Sequence, residues 1–354
     1  MRIAIIAPPF IPVPPAAYGG TELFIANLAE ALCDRGNQVV VYANGESRVR
    51  CPVRWTYAEA DWPLHSDSAA TLKGLDHCAW AIGDCLAADF DVVHINDALA
   101  VPLSRFVHVP VIHTLHHPHE PDLSALYSRY PDITYVAISD AQRRLERMPK
   151  MHTVHHGLRL DDYRFNDRKE GYLLFLGRFA PVKGAHLAID AAKRAGLPLK
   201  LAGEIQPMFH EYWRRMVQPH VDGSRVEYVG EADQALKKEL LAGASALLFP
   251  IQWNEPFGLV MIEAMACGTP VLALRGGAVD EVVRDGISGW VCADVEEMAA
   301  RAKDPGVSPR ACRQEAEQRF SVDRMAAAYE AVYHTASTGE LDGERALAGP
   351  AAES

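Results

Sequence analysis

A short apolar strand followed by a helix recurs along this chain, and near the middle the recurrence starts afresh. Arg2-Ile3-Ala4-Ile5-Ile6-Ala7 reads as a strand without polar alternation, as in a parallel sheet buried on both faces. A Pro/Gly-rich loop, Pro8 to Gly20, leads to Thr21, read as the cap of a helix with apolar positions Leu23, Phe24, Ala26, Leu28, Ala31 and Leu32. Strands at Gln38–Ala43, Asp91–Ile95, Val109–Leu115 and Tyr135–Ser139 follow, the last leading into a helix over Asp140–Met148. The series restarts at Tyr172–Gly177. Helix Gly184–Ala195, strand Leu199–Gly203, helix Gln206–Val217, strand Arg225–Val229, helix Gln234–Gly243 and strands Ala246–Phe249 and Pro270–Leu274 come next. Alternation of this kind predicts doubly wound α/β domains. The 354 residues exceed the roughly 250–300 at which one core stops growing, so two such domains are expected. The polar stretch Asp161–Gly171 is the expected join, giving domains over residues 1–165 and 166–321.

Composition excludes several classes of partner. The net charge is −11. The tail Ser337–Ser354 holds four acids and one Arg, which leaves −8 on the body. Such a chain is a poor match for nucleic acid or an anionic membrane surface as its main partner. Seven cysteines, with no Cys-x-x-Cys among them, fit a reducing compartment better than a disulfide framework. No apolar run approaches 18 residues, and the N-terminus enters a strand directly, so a cytoplasmic location is expected. A lipid acceptor would then be met by peripheral membrane contact.

The stretch Asn254-Glu255-Pro256-Phe257-Gly258-Leu259-Val260-Met261-Ile262-Glu263-Ala264 points to chemistry. It follows a buried strand and reads as a loop opening a helix, with Pro256 at the first helical position, Gly268 at the left-handed end and Pro270 beyond. The bare N–H groups of Phe257, Gly258 and Leu259 would face an anion. Glu255 sits at the mouth of that site and Glu263 one turn inward from Leu259. A phosphate cradle flanked by two carboxylates suits a nucleotide sugar: the helix end takes the diphosphate and the carboxylates take hydroxyls.

This segment resembles the E-x7-E signature of retaining glycosyltransferases of the family 4 type. The likeness runs from Glu255-Pro256-Phe257-Gly258-Leu259 through Glu263-Ala264-Met265-Ala266-Cys267-Gly268-Thr269-Pro270-Val271 to Gly276-Gly277 and Glu281-Val282-Val283. The resemblance implies the GT-B fold, two Rossmann-like domains facing a central cleft. It also implies that a terminal helix, here residues 322–336, returns to the first domain. The Gly/Ala/Glu-rich remainder, 337–354, reads as a disordered tail.

Other motifs fit the same cleft. Gly177-Arg178-Phe179-Ala180-Pro181-Val182-Lys183-Gly184 follows a strand, and its Arg178 and Lys183 can converge on a diphosphate. The resemblance gives them that role, which includes stabilising the leaving group. In Tyr18-Gly19-Gly20-Thr21-Glu22, Gly19 and Gly20 let backbone approach a ligand, and the resemblance places this loop near the donor phosphates. No G-x-G-x-x-G occurs, which argues against a nicotinamide or flavin enzyme. Thr114-Leu115-His116-His117 closes a strand where open α/β sheets bind ligands. The resemblance assigns His116 to the donor sugar. His113, His117 and His119 stand close by, and the cluster also raises metal binding. His155-His156-Gly157 occupies the place of an Asn-Gly pair in resembling proteins, so His156 inherits no role.

The resemblance implies hexosyl transfer from a nucleoside-diphosphate sugar to a hydroxyl acceptor, with retention and front-face geometry; no Asp-x-Asp metal motif is read, so no metal or other cofactor is expected. The family makes uracil the expected base; guanine, adenine and thymine stay open in the residues themselves. Glu255 would hold sugar hydroxyls, Glu263 the ribose diol, and the amides of Phe257, Gly258 and Leu259 the sugar or diphosphate. For a carboxylate nucleophile, Asp97 and Glu120 are the nearest candidates. The acceptor (glycan, glycolipid or small molecule) would meet loops Pro8–Gly20, Glu59–Ser68 and Pro118–Leu126, with Trp55, Tyr57, Trp62 and Tyr127 as stacking candidates. A non-hydrolysing sugar-nucleotide epimerase, or a non-catalytic nucleotide-sugar-binding subunit, uses the same architecture.

Overall fold

The structure, a computed structural model, describes residues 1–17, 19–62 and 68–338. The first part of the chain runs β1 (Arg2–Ile6), α1 (Gly20–Asp34), β2 (Gln38–Tyr42), β3 (Val53–Arg54), α2 (Ser68–Leu86) and β4 (Val92–Ile95), then β5 (Val111–Leu115), α3 (Pro121–Tyr127), β6 (Thr134–Ala137), α4 (Asp140–Arg143) and β7 (Met151–Thr153). Its seven strands form one parallel sheet in the order β3-β2-β1-β4-β5-β6-β7.

The second part runs β8 (Leu173–Leu176), α5 (Ala185–Ala195), β9 (Leu199–Ala202), α6 (His210–Tyr212), β10 (Val226–Tyr228), α7 (Gln234–Gly243), β11 (Ala246–Phe249), α8 (Leu259–Ala266), β12 (Val271–Leu274), α9 (Val279–Val282) and β13 (Gly289–Cys292), then α10 (Val295–Lys303), α11 (Pro309–Arg319) and α12 (Val322–Thr338). Its six parallel strands are ordered β10-β9-β8-β11-β12-β13. Both sheets are Rossmann-like, and in each the strand order reverses beside the first strand, β1 or β8. Ligands bind at such switch points, beyond the carboxyl ends of the strands.

Apolar strand residues make the registers self-consistent. Ile3 pairs Val39 and Val92, and Leu247 pairs Leu174 and Val271, so each sheet is lined with branched side chains on both faces. The terminal helix α12 crosses back to α1. Its Val322, Met325, Ala326, Tyr329, Val332 and Tyr333 share a core with β1, β2 and α1. The Tyr333 and Tyr329 hydroxyls meet buried His94 at 2.8 Å and Thr114 at 2.9 Å.

Several local expectations are corrected. Helix α1 begins at Gly20 with Gly19 as its cap, so Thr21 lies inside the first turn and caps nothing. The helix expected over Asp140–Met148 stops at Arg143, because Glu146 turns inward to Ser124 and His119. The stretch expected as helix Gln206–Val217 is a broken series of 3-10, α and π turns over 207–220. Pro207 opens its first 3-10 turn and Pro219 lies in its last, and Trp213 packs on Phe179 and Tyr228. Helix α2 carries only a faint sequence signal, because its buried face is small or polar: Gly74, His77, Cys78, Ala81, Ile82 and Cys85. Tyr18, part of the Glu59–Ser68 loop (residues 63–67) and residues 339–354 of the tail lie outside the described residues.

Candidate active site

The ends of β5, β6, β8, β9 and β11 converge on a cavity of about 460 Å³ walled by both domains, within the usual span for small-molecule sites. Its lining includes Gly19, Gly20, His116, Arg178, Lys183, Glu255, Phe257, Gly258, Leu259 and Glu263. Residues from four separate motifs are therefore brought together. Gly20 stands at the N-terminus of α1, and a Cβ there would lie 3.6 Å from Leu259 at the N-terminus of α8. Two helix ends thus face each other across the cleft.

The signature helix begins three residues later than expected. Pro256, Phe257 and Gly258 form a loop, Gly258 has φ +85°, and α8 starts at Leu259. Gly258 is needed there because a side chain resists that left-handed turn. The bare helical N–H groups therefore begin at Leu259, not at Phe257. Phe257 is buried, with its ring against His156 and Phe320.

Each glutamate is anchored by a lysine and an aromatic donor. Glu255 Oε2 accepts from Lys183 Nζ at 2.6 Å and Trp253 Nε1 at 2.7 Å. Glu263 Oε1 accepts from Lys237 Nζ at 2.5 Å and the Tyr163 hydroxyl at 2.9 Å. Both carboxylates are buried, and among the described residues the second oxygen of each takes no hydrogen bond. Lys183 also lies 4.7 Å from the Trp253 ring centre. Arg178 reaches Gln206 Oε1 at 3.3 Å.

The histidine cluster separates into different roles. His113 is in the core, with Nδ1 at 3.1 Å from the Ile95 carbonyl. His117 lines the cavity, but both its nitrogens are engaged, by the Pro118 carbonyl and the Tyr127 hydroxyl, each at 2.7 Å. His116 Nε2 is 2.9 Å from Asn96 Oδ1, while Asn96 Nδ2 donates to the Ile6 carbonyl. That network assigns the proton to His116 Nε2 and leaves Nδ1 as an acceptor. Burial, reinforced by His156, holds His116 well below the usual imidazole range, so it is neutral.

His156 is the site residue that sequence reasoning left without a role. It lines the cavity, is 5% exposed, and stacks on His116 with 6.0 Å between ring centres and 10° between planes. Its Nδ1 has no hydrogen-bond partner among the described residues. Burial lowers its pKa to about 3. The signal was the departure from Asn-Gly at that position. Lys237, Trp253 and Tyr163 were also missed; only Trp253, two residues before Glu255, was close enough in sequence to suggest a partner.

Other candidates fall outside the cavity. Asp97 caps the 3-10 segment Ala98–Phe106 through Leu99 N–H at 2.9 Å, and Glu120 is exposed. Neither lines the cleft as a nucleophile. Tyr127 is in the core, and Tyr57 bonds Asp76 through its hydroxyl while Lys73 Nζ lies over its ring, 5.0 Å from the centre. An Asp-x-Asp spacing does occur at Asp89-Phe90-Asp91, ahead of β4. Those acids meet Arg2 at the opposite end of the sheet from the cleft.

The matches to known proteins agree with this geometry. Residues 18–162 match the family described as Glycosyltransferase Family 4, and residues 162–304 match Glycosyl transferases group 1. The chain belongs to the family 4 glycosyltransferases. It is 27% identical to a phosphatidyl-myo-inositol mannosyltransferase of Mycobacterium leprae, covering 96% of this chain and 98% of that protein. It is 28% identical to a glycogen synthase of Mycobacterium tuberculosis, covering 96% of each. Among solved structures it resembles AviGT4, a glycosyltransferase involved in avilamycin A biosynthesis, with 26% identity, a TM-score of 0.75 and coverage of 96% and 98%. The Anabaena protein HepE, solved with UDP and glucose, shares the fold at 19% identity and a TM-score of 0.73, with coverage of 95% and 100%. These neighbours place this glycosyltransferase in the GT-B architecture. Among the described residues, no helix is long and apolar enough to cross a membrane.

Proposed function

We propose that this glycosyltransferase moves a hexosyl group from a nucleoside-diphosphate sugar, with UDP as the expected nucleotide, to a hydroxyl acceptor, retaining the anomeric configuration and using no metal. The observation that carries the reading is the convergence of Arg178, Lys183, Glu255, Glu263 and the N-terminus of α8 on one cavity. The N–H groups at the start of α8, with Arg178 and Lys183, suit the diphosphate. As the glycosidic bond breaks, negative charge grows on the leaving phosphate, and these groups are already in place to oppose it. Glu255 offers its unused oxygen to sugar hydroxyls and His116 offers Nδ1. Glu263 offers its unused oxygen to the ribose diol.

Front-face transfer is supported by the positions of Asp97 and Glu120, the two nucleophile candidates, outside the cavity, and by the density of positive and N–H groups at the phosphate end. In that mechanism the leaving phosphate takes the acceptor's proton, and the protein positions both substrates. The relatives differ in what their names say they build, a phosphoinositide mannoside or glycogen, so neither acceptor is carried over. HepE's complex with UDP and glucose favours UDP as the first nucleotide to try. The test is product analysis with a panel of UDP- and GDP-hexoses, with and without candidate acceptors. Transfer with retained configuration in a chelator supports the reading. Turnover of donor to an epimer without acceptor would replace it.

A further inference from the structure

Beside the main cavity lies a second, of about 190 Å³, which shares Pro118, Glu255 and Pro256 with it. Its other walls include His119, Gln142, Arg144, Asn254 and Gly277. None of the groups that suit a diphosphate, Arg178, Lys183 and Leu259, reaches this space. It therefore adjoins the sugar end of the donor site, away from the nucleotide.

His119 is held there by a buried carboxylate. Its Nδ1 lies 2.9 Å from Glu146 Oε1, and the Ser124 hydroxyl donates to the other Glu146 oxygen. Glu146 is 7% exposed and accepts on both sides, so His119 Nδ1 carries the proton. In the neutral ring, Nε2 is then a bare lone pair with no partner among the described residues. Gln142 has no such capacity to spare: its amide donates to the Leu115 and His117 carbonyls and accepts from Ile138 N–H. Arg144 pairs with Glu281 at 3.6 Å and the free oxygen of Glu255 is taken by the donor sugar in the proposed transfer, so the small cavity is left with His119 Nε2 and the Asn254 amide. That mixture of donors and acceptors, with little net charge, suits neutral hydroxyls. The volume lies below the roughly 300 Å³ of ordinary ligand pockets, so it accommodates one ring and not a chain.

Resting on the proposed glycosyl transfer, we infer that the small cavity is the acceptor subsite, that it takes a single-ring polyol unit (a monosaccharide or cyclitol, free or terminal on a larger acceptor), and that His119, oriented by Glu146, accepts a hydrogen bond from an acceptor hydroxyl. This gives a role to a histidine that the sequence motif leaves unassigned.

The experiment titrates glucose, galactose, mannose and myo-inositol, followed by ligand-observed NMR, into protein saturated with whichever of UDP, GDP, ADP or dTDP binds. Wild type, His119→Ala and His119→Gln are compared. At least one ring is expected to bind saturably, at least tenfold more weakly in His119→Ala and within threefold of wild type in His119→Gln, whose amide restores an acceptor. The nucleotide Kd should stay within twofold in all three proteins, which also reports that they fold. His119 does not line the main cavity, so its effect reads the small one. Ring binding that His119→Ala leaves unchanged overturns the inference, as does nucleotide binding with no ring bound. Failure of every nucleotide to bind overturns the donor-site reading itself, and this inference with it.

Discussion

Glu255 and Glu263 are held in the same way: one carboxylate oxygen accepts from a lysine and from an aromatic N–H or O–H, and the other oxygen is left over. For Glu255 the partners are Lys183 and Trp253; for Glu263 they are Lys237 and Tyr163. The lysine and the aromatic fix the carboxylate's position, so the remaining oxygen meets a ligand hydroxyl without first losing side-chain freedom. Each lysine is equally dependent on its glutamate, since both pairs are largely out of water.

Replacing Glu263 should therefore cost stability as well as binding. Glu263→Ala strands the Lys237 ammonium, which is 8% exposed, and loss of one partner of a buried pair costs about 3–5 kcal/mol. The double variant Lys237→Met/Glu263→Leu should recover most of that loss in urea melts but not nucleotide affinity. A Glu263→Ala protein as stable as wild type would contradict the pairing.

Lys183→Ala should lower kcat/KM by about two decades if Lys183 opposes charge on the leaving phosphate. Glu255→Gln should do likewise through the sugar, because an amide is a weaker acceptor toward both Lys183 and the substrate. Steady-state kinetics check both. Near-normal turnover in either variant would remove that residue from the catalytic set.

Gly277→Ala tests the loop that carries Glu255. Gly277 has φ +57°, and a Cβ there would lie 2.2 Å from the Glu255 carbonyl oxygen and 2.5 Å from its nitrogen. Those are backbone atoms and cannot swing aside, so the loop must shift. The expected outcome is at least a tenfold loss of kcat/KM with about 1–3 kcal/mol of lost stability. Unchanged kinetics would show that the position of Glu255 is not critical.

Acid should destabilise the protein early. Burial pushes His94, His113 and His156 to about 3 and His77 to about 4. Unfolded, each titrates near ~6.5, so the unfolded chain binds more protons between those values. Their contribution is complete above about pH 6.5 and is lost as pH falls toward 3, by up to ~1.4 kcal/mol per pH unit for each ring. Glu22, which burial lifts to about 7, acts with the opposite sign and loses its contribution as pH rises through that value. These four rings, with His116, outweigh the carboxyls that burial raises, Glu22, Asp97 and Glu204, so Tm should fall steadily from pH 6.5 to 4.5. A flat profile over that range would contradict the burial of these neutral rings.

Much of this was legible in the sequence, for local reasons. Unbroken apolar strands and capped helices marked both sheets, and the E-x7-E segment carried its own strand, loop and helix. Pro256 misled because proline suits a first helical position as well as a turn, and the deciding residue was Gly258, which takes a left-handed conformation. Partners distant in sequence were invisible: Tyr163 and Glu263 are 100 positions apart, and His116 and His156 stack only once β5 and β7 are in one sheet. Glu146 gave no signal either, since it falls where a helix was expected to continue and instead turns in to hold His119.

The most direct test of nucleotide-sugar binding in the cleft is a thermal-shift panel with UDP, GDP, ADP and dTDP on the wild type and Lys183→Ala. A nucleotide present at 100 Kd adds about 2.7 kcal/mol of stability. The prediction is that one nucleoside diphosphate, UDP first, raises the wild-type Tm, and that Lys183→Ala needs at least tenfold more of it for the same shift. No shift with any of the four at millimolar concentration, or an equal shift in Lys183→Ala, would contradict the account.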